Sequence, residues 1–242
     1  MSTGRRALVT GGSGELGAAI CRHLALAGHH VHVHAHHRTE VAAQLVQSIV
    51  AAGGSAEALQ FDVTDAAASR SVLEALTAQQ PIQILVNNAG TTADAVLAGM
   101  SAAQWHGVID VSLHGFYNVT QPLLLPMIHS RWGRIVTVTS VAALTGNRGQ
   151  VNYAAAKGAL HAATRALALE VASRGITVNA VAPGIIRSPL ADAAFDAARI
   201  AQLVPMGRMG ETDEVAALVE FLASERARYI TGQTVSINGG MI

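Results

Sequence analysis

The feature that most limits the possible folds is a regular alternation of short β-prone runs with longer segments rich in alanine and leucine. The composition and turn signals predict strands at Arg6–Thr10, His30–Ala35, Ala56–Phe61, Ile82–Asn87, Gly133–Ser140, Ile176–Ala182 and Thr234–Ile237. The predicted helices between them are Glu15–Ala27, Glu40–Ala52, Ala66–Gln79, Ser101–Ser130, Val151–Ser173 and Asp213–Ala223. Since parallel strands are joined by right-handed helical crossovers, we predict an α/β fold: a doubly wound parallel sheet of about seven strands with helices on both faces.

Helix-end residues support these boundaries. Asp65 is placed to cap the third helix, and glycines follow the first two helices and precede the sixth strand: Gly28, Gly53, Gly54 and Gly175. No Ser/Pro-rich linker, charge run or tandem repeat divides the chain. We therefore expect a single domain over residues 1–242.

Composition excludes several classes of protein. The 16 basic and 16 acidic residues cancel, which argues against a general nucleic-acid binder, and 50% hydrophobic residues argue against disorder. Cys21 is the only cysteine, so no intrachain disulfide can form. Because no uninterrupted apolar run approaches the roughly 18–20 residues that span a bilayer, and none near the start resembles a secretion signal, we expect a soluble cytoplasmic protein.

Six of the 11 histidines lie in the segment His29–His37. In a strand, His32, His34 and His36 share one face, opposite Val31, Val33 and Ala35. The favoured interpretation is a strand whose polar face meets helix ends or solvent. The alternative is that two same-face histidines share a metal ion, but no cysteine, second histidine pair or carboxylate cluster accompanies them at ligand spacing. We therefore predict no metal site.

The first strand leads directly into a glycine-rich turn, Gly11-Gly12-Ser13-Gly14-Glu15-Leu16-Gly17, and then into a helix. Glycines allow a tight turn and a close approach of the backbone, and the amides of a helix N-terminus attract a pyrophosphate. This context predicts a dinucleotide site that includes Gly11, Ser13, Gly14, Glu15 and Leu16.

From this turn onward the whole chain resembles the short-chain dehydrogenase/reductase family, which implies a Rossmann-type fold. That family commonly has TGxxxGxG, whereas this chain has TGxxGxxG, with Glu15 in place of the middle glycine. We expect the Glu15 carboxylate to face solvent, away from the phosphates. The resemblance also implies adenine contacts from Asp62 and Val63 and a cofactor border formed by Asn88, Ala89 and Gly90.

The residues after the second strand predict the choice of cofactor. An acidic residue there would bind the adenosine ribose and repel a 2′-phosphate. This chain has Ala35 instead, followed by His36, His37 and Arg38. An arginine, which is always charged, favours a 2′-phosphate. We therefore predict NADP(H); the alternative is that Arg38 merely solvates the loop.

The predicted catalytic residues are Ser140, Tyr153, Lys157 and Ser112. Ser140 ends a strand, and Tyr153 and Lys157 are four residues apart on a helix, hence on one face. We expect the Lys157 ammonium to lower the pKa of Tyr153, which then donates a proton to a carbonyl oxygen that Ser140 holds. Ser112 stands where the family usually has an asparagine that kinks the helix and anchors a relay water; we expect a relay rebuilt around serine.

After the sixth strand, Pro183, Gly184, Ile186 and Ser188 resemble the family's loop over the nicotinamide carboxamide. The segment from about 187 to 209 would then be a mobile, largely apolar substrate lid, although its composition equally suits ordinary helix packing.

Within the family, the chain resembles the 3-oxoacyl-[acyl-carrier-protein] reductases. The resemblance lies in GRIVTVTSVAALTGNRGQVNYAAAKGAL, EVASRGITVNAVAPGII and YITGQTVSINGGMI. It implies NADPH-dependent reduction of a 3-oxoacyl group on an acyl-carrier protein, a homotetramer, and docking of the acidic carrier at Arg131 and Arg174 beside the active-site mouth. Two alternatives remain: an alcohol or sugar dehydrogenase for a free small molecule, and a non-enzymatic nucleotide-sensing scaffold.

Overall fold

A computed structural model describes residues 4–242, and over that range the chain forms one seven-stranded parallel sheet. The strand order is β3-β2-β1-β4-β5-β6-β7. The strands are β1 (Arg6–Val9), β2 (His30–Ala35), β3 (Ser55–Gln60), β4 (Ile84–Asn87), β5 (Gly133–Val138), β6 (Ile176–Pro183) and β7 (Thr234–Ile237). The predicted fold class is confirmed, and each predicted strand is present with its ends shifted by at most two residues.

Ten α-helices connect and cover the described strands. They are α1 (Glu15–Leu26), α2 (Thr39–Ala51), α3 (Ala66–Gln79), α4 (Ala102–Ile109), α5 (Gly115–Ser130), α6 (Ala142–Thr145), α7 (Val151–Val171), α8 (Pro189–Ala194), α9 (Ala197–Leu203) and α10 (Thr212–Ala223). Asp65 caps α3 as predicted, its carboxylate accepting from the Ala68 amide at 2.9 Å.

The predicted helix over residues 101–130 is divided in the structure. Residues Asp110–His114 form a π-helical turn between α4 and α5. A π turn inserts one extra residue into the helical ladder, and such turns are frequent at functional sites. The short helices α6, α8 and α9 were not predicted, because each is seven residues or fewer and shows too little periodicity to be detected from sequence.

Two hydrophobic cores lie on opposite faces of the sheet. Along β1, Ala7 and Val9 pack on the face covered by α1, α2 and α10, whereas Leu8 packs on the face covered by α3, α5 and α7. Burial on both faces explains why the central strands are apolar almost without interruption.

The strand order reverses direction between β1 and β4, so a crevice opens at the carboxyl ends of these strands. The glycine-rich turn follows β1, the Asn88–Gly90 segment follows β4, and Ser140 lies two residues beyond β5. The topology therefore gathers the predicted site residues at one edge of the sheet. Within the described range, none of the helices is both long and apolar enough to cross a membrane.

Candidate active site

The glycine-rich turn after β1 is tightly closed. Gly11 has a positive φ of 64°, and its carbonyl accepts from the Gly14 amide at 3.0 Å. A Cβ on Gly17 would lie 2.2 Å from the Gly11 carbonyl oxygen, so only glycine fits there. Gly14, at the N-cap of α1, has no side chain to occupy the first amides of the helix. Those amides suit an anionic group, and Glu15 is solvent-exposed, as predicted.

Thr10 connects this turn to the segment after β4. Its hydroxyl oxygen accepts from the Asn88 and Ala89 amides, both at 3.0 Å. The Asn88 side chain donates to the carbonyls of Thr10 (2.9 Å) and Gly11 (3.2 Å). Because these bonds cross from β1 to β4, they fix the floor of the crevice. The role of Thr10 is not predictable from the sequence, because only the pairing of β1 with β4 reveals it.

Helix α7 carries the predicted catalytic pair, Tyr153 and Lys157. Tyr153 is partly buried and Lys157 is buried, with the Lys157 Nζ 5.7 Å from the centre of the Tyr153 ring and donating to the Val138 carbonyl at 2.9 Å. The buried Asn152 side chain donates to the carbonyls of Ala93 and Gln104 and thereby anchors the start of the helix. Sequence reasoning missed this anchor, since a helical asparagine carries no distinctive signal.

The electrostatics of the pair differ from the prediction. Burial raises the pKa of Tyr153, an effect that a hydrogen bond with Ser140 partly offsets, and burial lowers the pKa of Lys157 to about 8. The expectation that Lys157 lowers the pKa of Tyr153 is not met: desolvation is the largest cause and raises the pKa, and the contribution that lowers it is the hydrogen bond with Ser140. A raised pKa keeps the phenol protonated, which is the form that a proton donor needs.

Ser112 lies within the π turn and borders a small internal cavity beside Lys157. The cavity leaves about 10 Å³ for the centre of a water molecule, enough for one water. Among residues 4–242, the buried hydroxyls of Ser112 and Thr137, both on the cavity wall, find no hydrogen-bond partner. A Cβ on Gly90 would lie 3.2 Å from the Lys157 Nζ and 3.8 Å from the Ser112 Oγ, so a larger residue at 90 would press on the lysine ammonium.

The residues predicted to select the cofactor follow β2. His36, His37 and Arg38 are all exposed, and the two imidazoles stack with ring centres 3.5 Å apart. Asp62 lies 3.8 Å from the His36 Nε2. Burial alone would raise the pKa of Asp62, but hydrogen bonds with Thr64 and the nearby His36 and His37 hold it below its ordinary value. Val63 is buried, and its carbonyl accepts from Asn118 at 2.9 Å.

The loop after β6 borders the crevice from the other side. The Gly184 amide donates to the Ile237 carbonyl at 2.9 Å, and a Cβ on Gly184 would lie 2.8 Å from the Asn238 Cα. Pro183 ends β6, Ile186 forms an isolated parallel bridge with Gly210, and the Ser188 hydroxyl caps α8. The segment predicted as a lid contains α8 and α9, which pack through a small cluster centred on Ile200, Val204 and Met209.

The predicted docking residues lie elsewhere. Arg131 precedes β5 and Arg174 precedes β6, whereas Ser140 follows β5. The six residues of β5, at about 3.3 Å each, put Arg131 about 20 Å from Ser140 at the opposite edge of the sheet. The two arginines are near each other, since the Arg131 side chain donates to the Ser173 carbonyl at 3.2 Å. The expectation that they border the mouth of their own chain's site is wrong, because parallel strands begin at the edge away from the site.

The histidine-rich strand is more buried than predicted. His32 and His34 are 0% and 2% exposed. His30 and His32 also lie with Glu57 of β3 in a group whose ligand atoms are all within 4.8 Å of one another, which supplies the carboxylate that the sequence did not show. However, Arg6 donates to the His32 Nε2 at 3.2 Å, so a neutral His32 carries its proton on Nδ1, the atom 2.6 Å from Glu57. A metal ion bound at the His32 Nδ1 would displace the proton from that atom. The proton would then move to the Nε2 and break the hydrogen bond with Arg6, so His32 is better suited to hold a proton on its Nδ1 than a metal ion.

Comparison with known proteins agrees with this geometry. The family profile described as enoyl-(acyl carrier protein) reductase matches residues 13–242. The chain belongs to the short-chain dehydrogenase/reductase family. It is 44% identical to the 3-oxoacyl-[acyl-carrier-protein] reductase FabG of Escherichia coli (strain K12), over 98% of this chain and 97% of that protein. It is 43% identical to the FabG of Aggregatibacter actinomycetemcomitans (97% and 98%), and 42% identical to nodulation protein G of Azospirillum brasilense (97% of each).

Membership makes this chain an oxidoreductase that interconverts a carbonyl and an alcohol with a nicotinamide cofactor. The residues present fit such a cofactor: the uncapped N-terminus of α1 would hold the pyrophosphate, and the glycines at 11, 17 and 184 stand where a side chain would collide with the backbone or strain it. Ser140 and Lys157 both lie beside Tyr153, through a hydrogen bond and at 5.7 Å from the ring centre respectively. The arrangement can position a carbonyl and deliver a proton to its oxygen.

Proposed function

We propose that this enzyme reduces a 3-oxoacyl group carried on an acyl-carrier protein to the 3-hydroxyacyl form, with NADPH as cofactor. The observation that carries the proposal is the combination of the Ser140, Tyr153 and Lys157 geometry with full-length similarity of 43–44% to two proteins named 3-oxoacyl-[acyl-carrier-protein] reductase. Residues 1–242 would act as one domain in the cytoplasm, as a homotetramer, with residues 187–209 as the substrate lid.

The chain's own residues have distinct roles in this reaction. When bound, the nicotinamide supplies a hydride to the carbonyl carbon. Ser140 donates a hydrogen bond that orients the carbonyl oxygen, and Tyr153 gives that oxygen a proton. Lys157 holds its position through the Val138 carbonyl, lies on the wall of the cavity that Ser112 borders, and is 5.7 Å from the centre of the Tyr153 ring. The raised pKa of Tyr153 supports this direction of proton transfer, since the phenol is protonated at neutral pH.

We propose that one water in the cavity beside Ser112 resupplies the proton. The Ser112 and Thr137 hydroxyls, which lack partners among the described residues, would bind it within reach of Lys157. A serine hydroxyl replaces the amide that the family usually has at this position, and Thr137 provides a second polar contact.

The exposed Arg38 supports NADPH over NADH. It follows two stacked histidines and is placed to pair with a 2′-phosphate, as no acidic side chain follows β2 directly. The test is Arg38→Ala, with Arg22→Ala, an exposed arginine on α1, as the matched control. We expect the KM for NADPH to rise at least tenfold and the KM for NADH to stay unchanged; an unchanged preference for NADPH overturns the assignment.

The substrate assignment is tested by NADPH oxidation with acetoacetyl-carrier protein, acetoacetyl-coenzyme A and simple ketones or sugars. We expect the highest kcat/KM with the carrier-bound substrate. Activity only on free ketones or sugars would support the alternative, a dehydrogenase of small molecules. Docking at Arg131 and Arg174 fits the proposal only where these residues border the site of a neighbouring subunit, because they lie at the far edge of their own sheet.

A further inference from the structure

His34 is a buried histidine that connects two loops of the cofactor crevice. Its Nδ1 lies 3.1 Å from the Gly11 amide nitrogen, and its Nε2 lies 2.9 Å from the Phe61 carbonyl oxygen. The imidazole is also 4.1 Å, centre to centre, from the Phe61 ring. The His34 side chain is packed closely against its neighbours, since His34 is 2% exposed and Phe61 is 5% exposed.

These two contacts determine the protonation state of the ring. An amide N–H can only donate, so the His34 Nδ1 must offer its lone pair to Gly11; a carbonyl can only accept, so the Nε2 must carry the proton. The imidazole is therefore neutral, with both nitrogens satisfied. Protonation would set a second N–H against the Gly11 N–H. The pKa agrees: burial lowers it most, the Phe61 carbonyl and Asp62 raise it, His36 lowers it, and the net value is about 4.

The bridge spans a gap that the sheet itself does not close. Gly11 follows β1 and Phe61 follows β3, and β2 lies between these two strands. The backbones of β1 and β3 are therefore about 9–10 Å apart, twice the spacing of adjacent strands. An imidazole with an acceptor on one side and a donor on the other reaches across this distance. It joins the glycine-rich turn to the segment that continues into Asp62 and Val63.

We infer that His34 is a positioning residue for cofactor binding: its neutral imidazole holds the glycine-rich turn and the Phe61–Val63 segment at the separation that the adenosine half of the cofactor requires. The inference rests on the proposed function for the identity of the cofactor. His34 does not touch the cofactor in this scheme and acts through Gly11 and Phe61. Its effect is thus on cofactor affinity and not on the chemical step.

The test compares three variants by calorimetric titration with NADPH, without acyl substrate. His34→Phe keeps an aromatic ring and deletes both hydrogen bonds; His34→Gln retains an acceptor and a donor. His32→Phe is the matched control, a buried histidine on the same face of β2 but farther from the crevice. We expect a Kd for NADPH at least tenfold higher in His34→Phe, with partial recovery in His34→Gln, and a Kd within twofold of wild type in His32→Phe.

Steady-state kinetics and NMR complete the test. In His34→Phe the KM for NADPH should rise while kcat at saturating NADPH stays within about twofold. Independently of any ligand, ¹⁵N-edited spectra of the wild-type protein should show the His34 ring as the Nε2–H tautomer at pH 7. A Kd in His34→Phe equal to that of wild type or of His32→Phe, or an Nδ1–H tautomer, overturns the inference. Failure of wild type to bind NADPH or NADH would instead overturn the proposed function, and the inference with it.

Discussion

Replacing Lys157 with methionine should inactivate the enzyme and make it more stable. Lys157 is buried, and its pKa is lowered from 10.5 to about 8. At pH 7 the lysine is charged in both the folded and the unfolded protein. Folding therefore includes the cost of removing the charged ammonium from water. The difference in pKa corresponds to about 3 kcal/mol at about 1.4 kcal/mol per unit of pKa. Loss of the hydrogen bond to the Val138 carbonyl would cost about 1–1.5 kcal/mol, leaving a net stabilisation of about 2 kcal/mol.

The measurement is urea unfolding of cofactor-free Lys157→Met and wild type, followed by circular dichroism at equal protein concentration. We expect a higher free energy of unfolding for the variant at pH 7 and a melting temperature higher by about 4–8 °C. The advantage should shrink between pH 8 and 10.5. In that range the unfolded wild type binds more protons than the folded one, so wild-type stability rises with pH.

The control is Arg165→Met, which removes an exposed charge from the same helix and should change stability by less than about 0.5 kcal/mol. A Lys157→Met variant that is less stable than wild type at pH 7 would contradict a net desolvation cost at Lys157. It would mean that the free energy gained from hydrogen bonding by the ammonium exceeds the cost of its desolvation. Lys157 would then stabilise the fold as well as serve the reaction.

Three further predictions concern the turn, the relay and acid stability. Gly17→Ala should raise the Kd for NADPH more than tenfold, because its Cβ would lie 2.2 Å from the Gly11 carbonyl oxygen; equal affinity by titration would contradict this. Ser112→Ala should lower kcat about tenfold with little change in KM, whereas Ser112→Asn should stay within about twofold of wild type; an unchanged alanine variant would exclude the relay role. Urea unfolding should show stability falling from pH 6.5 towards 4, because burial lowers the pKa of His32 to about 3 and of His34 to about 4. Unfolded histidines bind protons in that range before folded ones do, so a flat profile would contradict these pKa values.

Sequence periodicity was enough to predict the sheet and the convergence of Ser140, Tyr153 and Lys157, the residues proposed to be catalytic. Ser140 follows a strand, and parallel strands all end at one edge, so its position relative to the glycine-rich turn follows from the fold class. Tyr153 and Lys157 share a helical face by their spacing alone. These inferences succeed because each depends on backbone geometry, which short patterns determine.

Other features depend on contacts between distant segments. The partner of the Thr10 hydroxyl is known only once β4 is placed beside β1, and the pKa of Tyr153 depends on how completely the crevice buries it. The expectation that Arg131 and Arg174 border the site of their own chain was wrong for a different reason. Both residues precede their strands in the sequence, so the strand direction already placed them at the edge opposite Ser140. The docking prediction followed the resemblance to relatives, although the predicted topology alone already placed both arginines away from the site of their own chain.

The histidine-rich strand shows what a sequence pattern can predict and what it cannot. Alternation correctly predicted which histidines share a face of β2, but the ring nitrogens are distinguished only by their partners. Arg6 directs a donor at the His32 Nε2, and Gly11 directs a donor at the His34 Nδ1, so the two imidazoles adopt opposite tautomers two residues apart. Both ring nitrogens of His34 have partners, so that site is specific for one ring orientation, whereas at His32 only the Nε2 is hydrogen-bonded. The histidines that suggest a metal site in the sequence are thus better explained as structural: His32 accepts from Arg6, and His34 bridges two segments of the cofactor crevice.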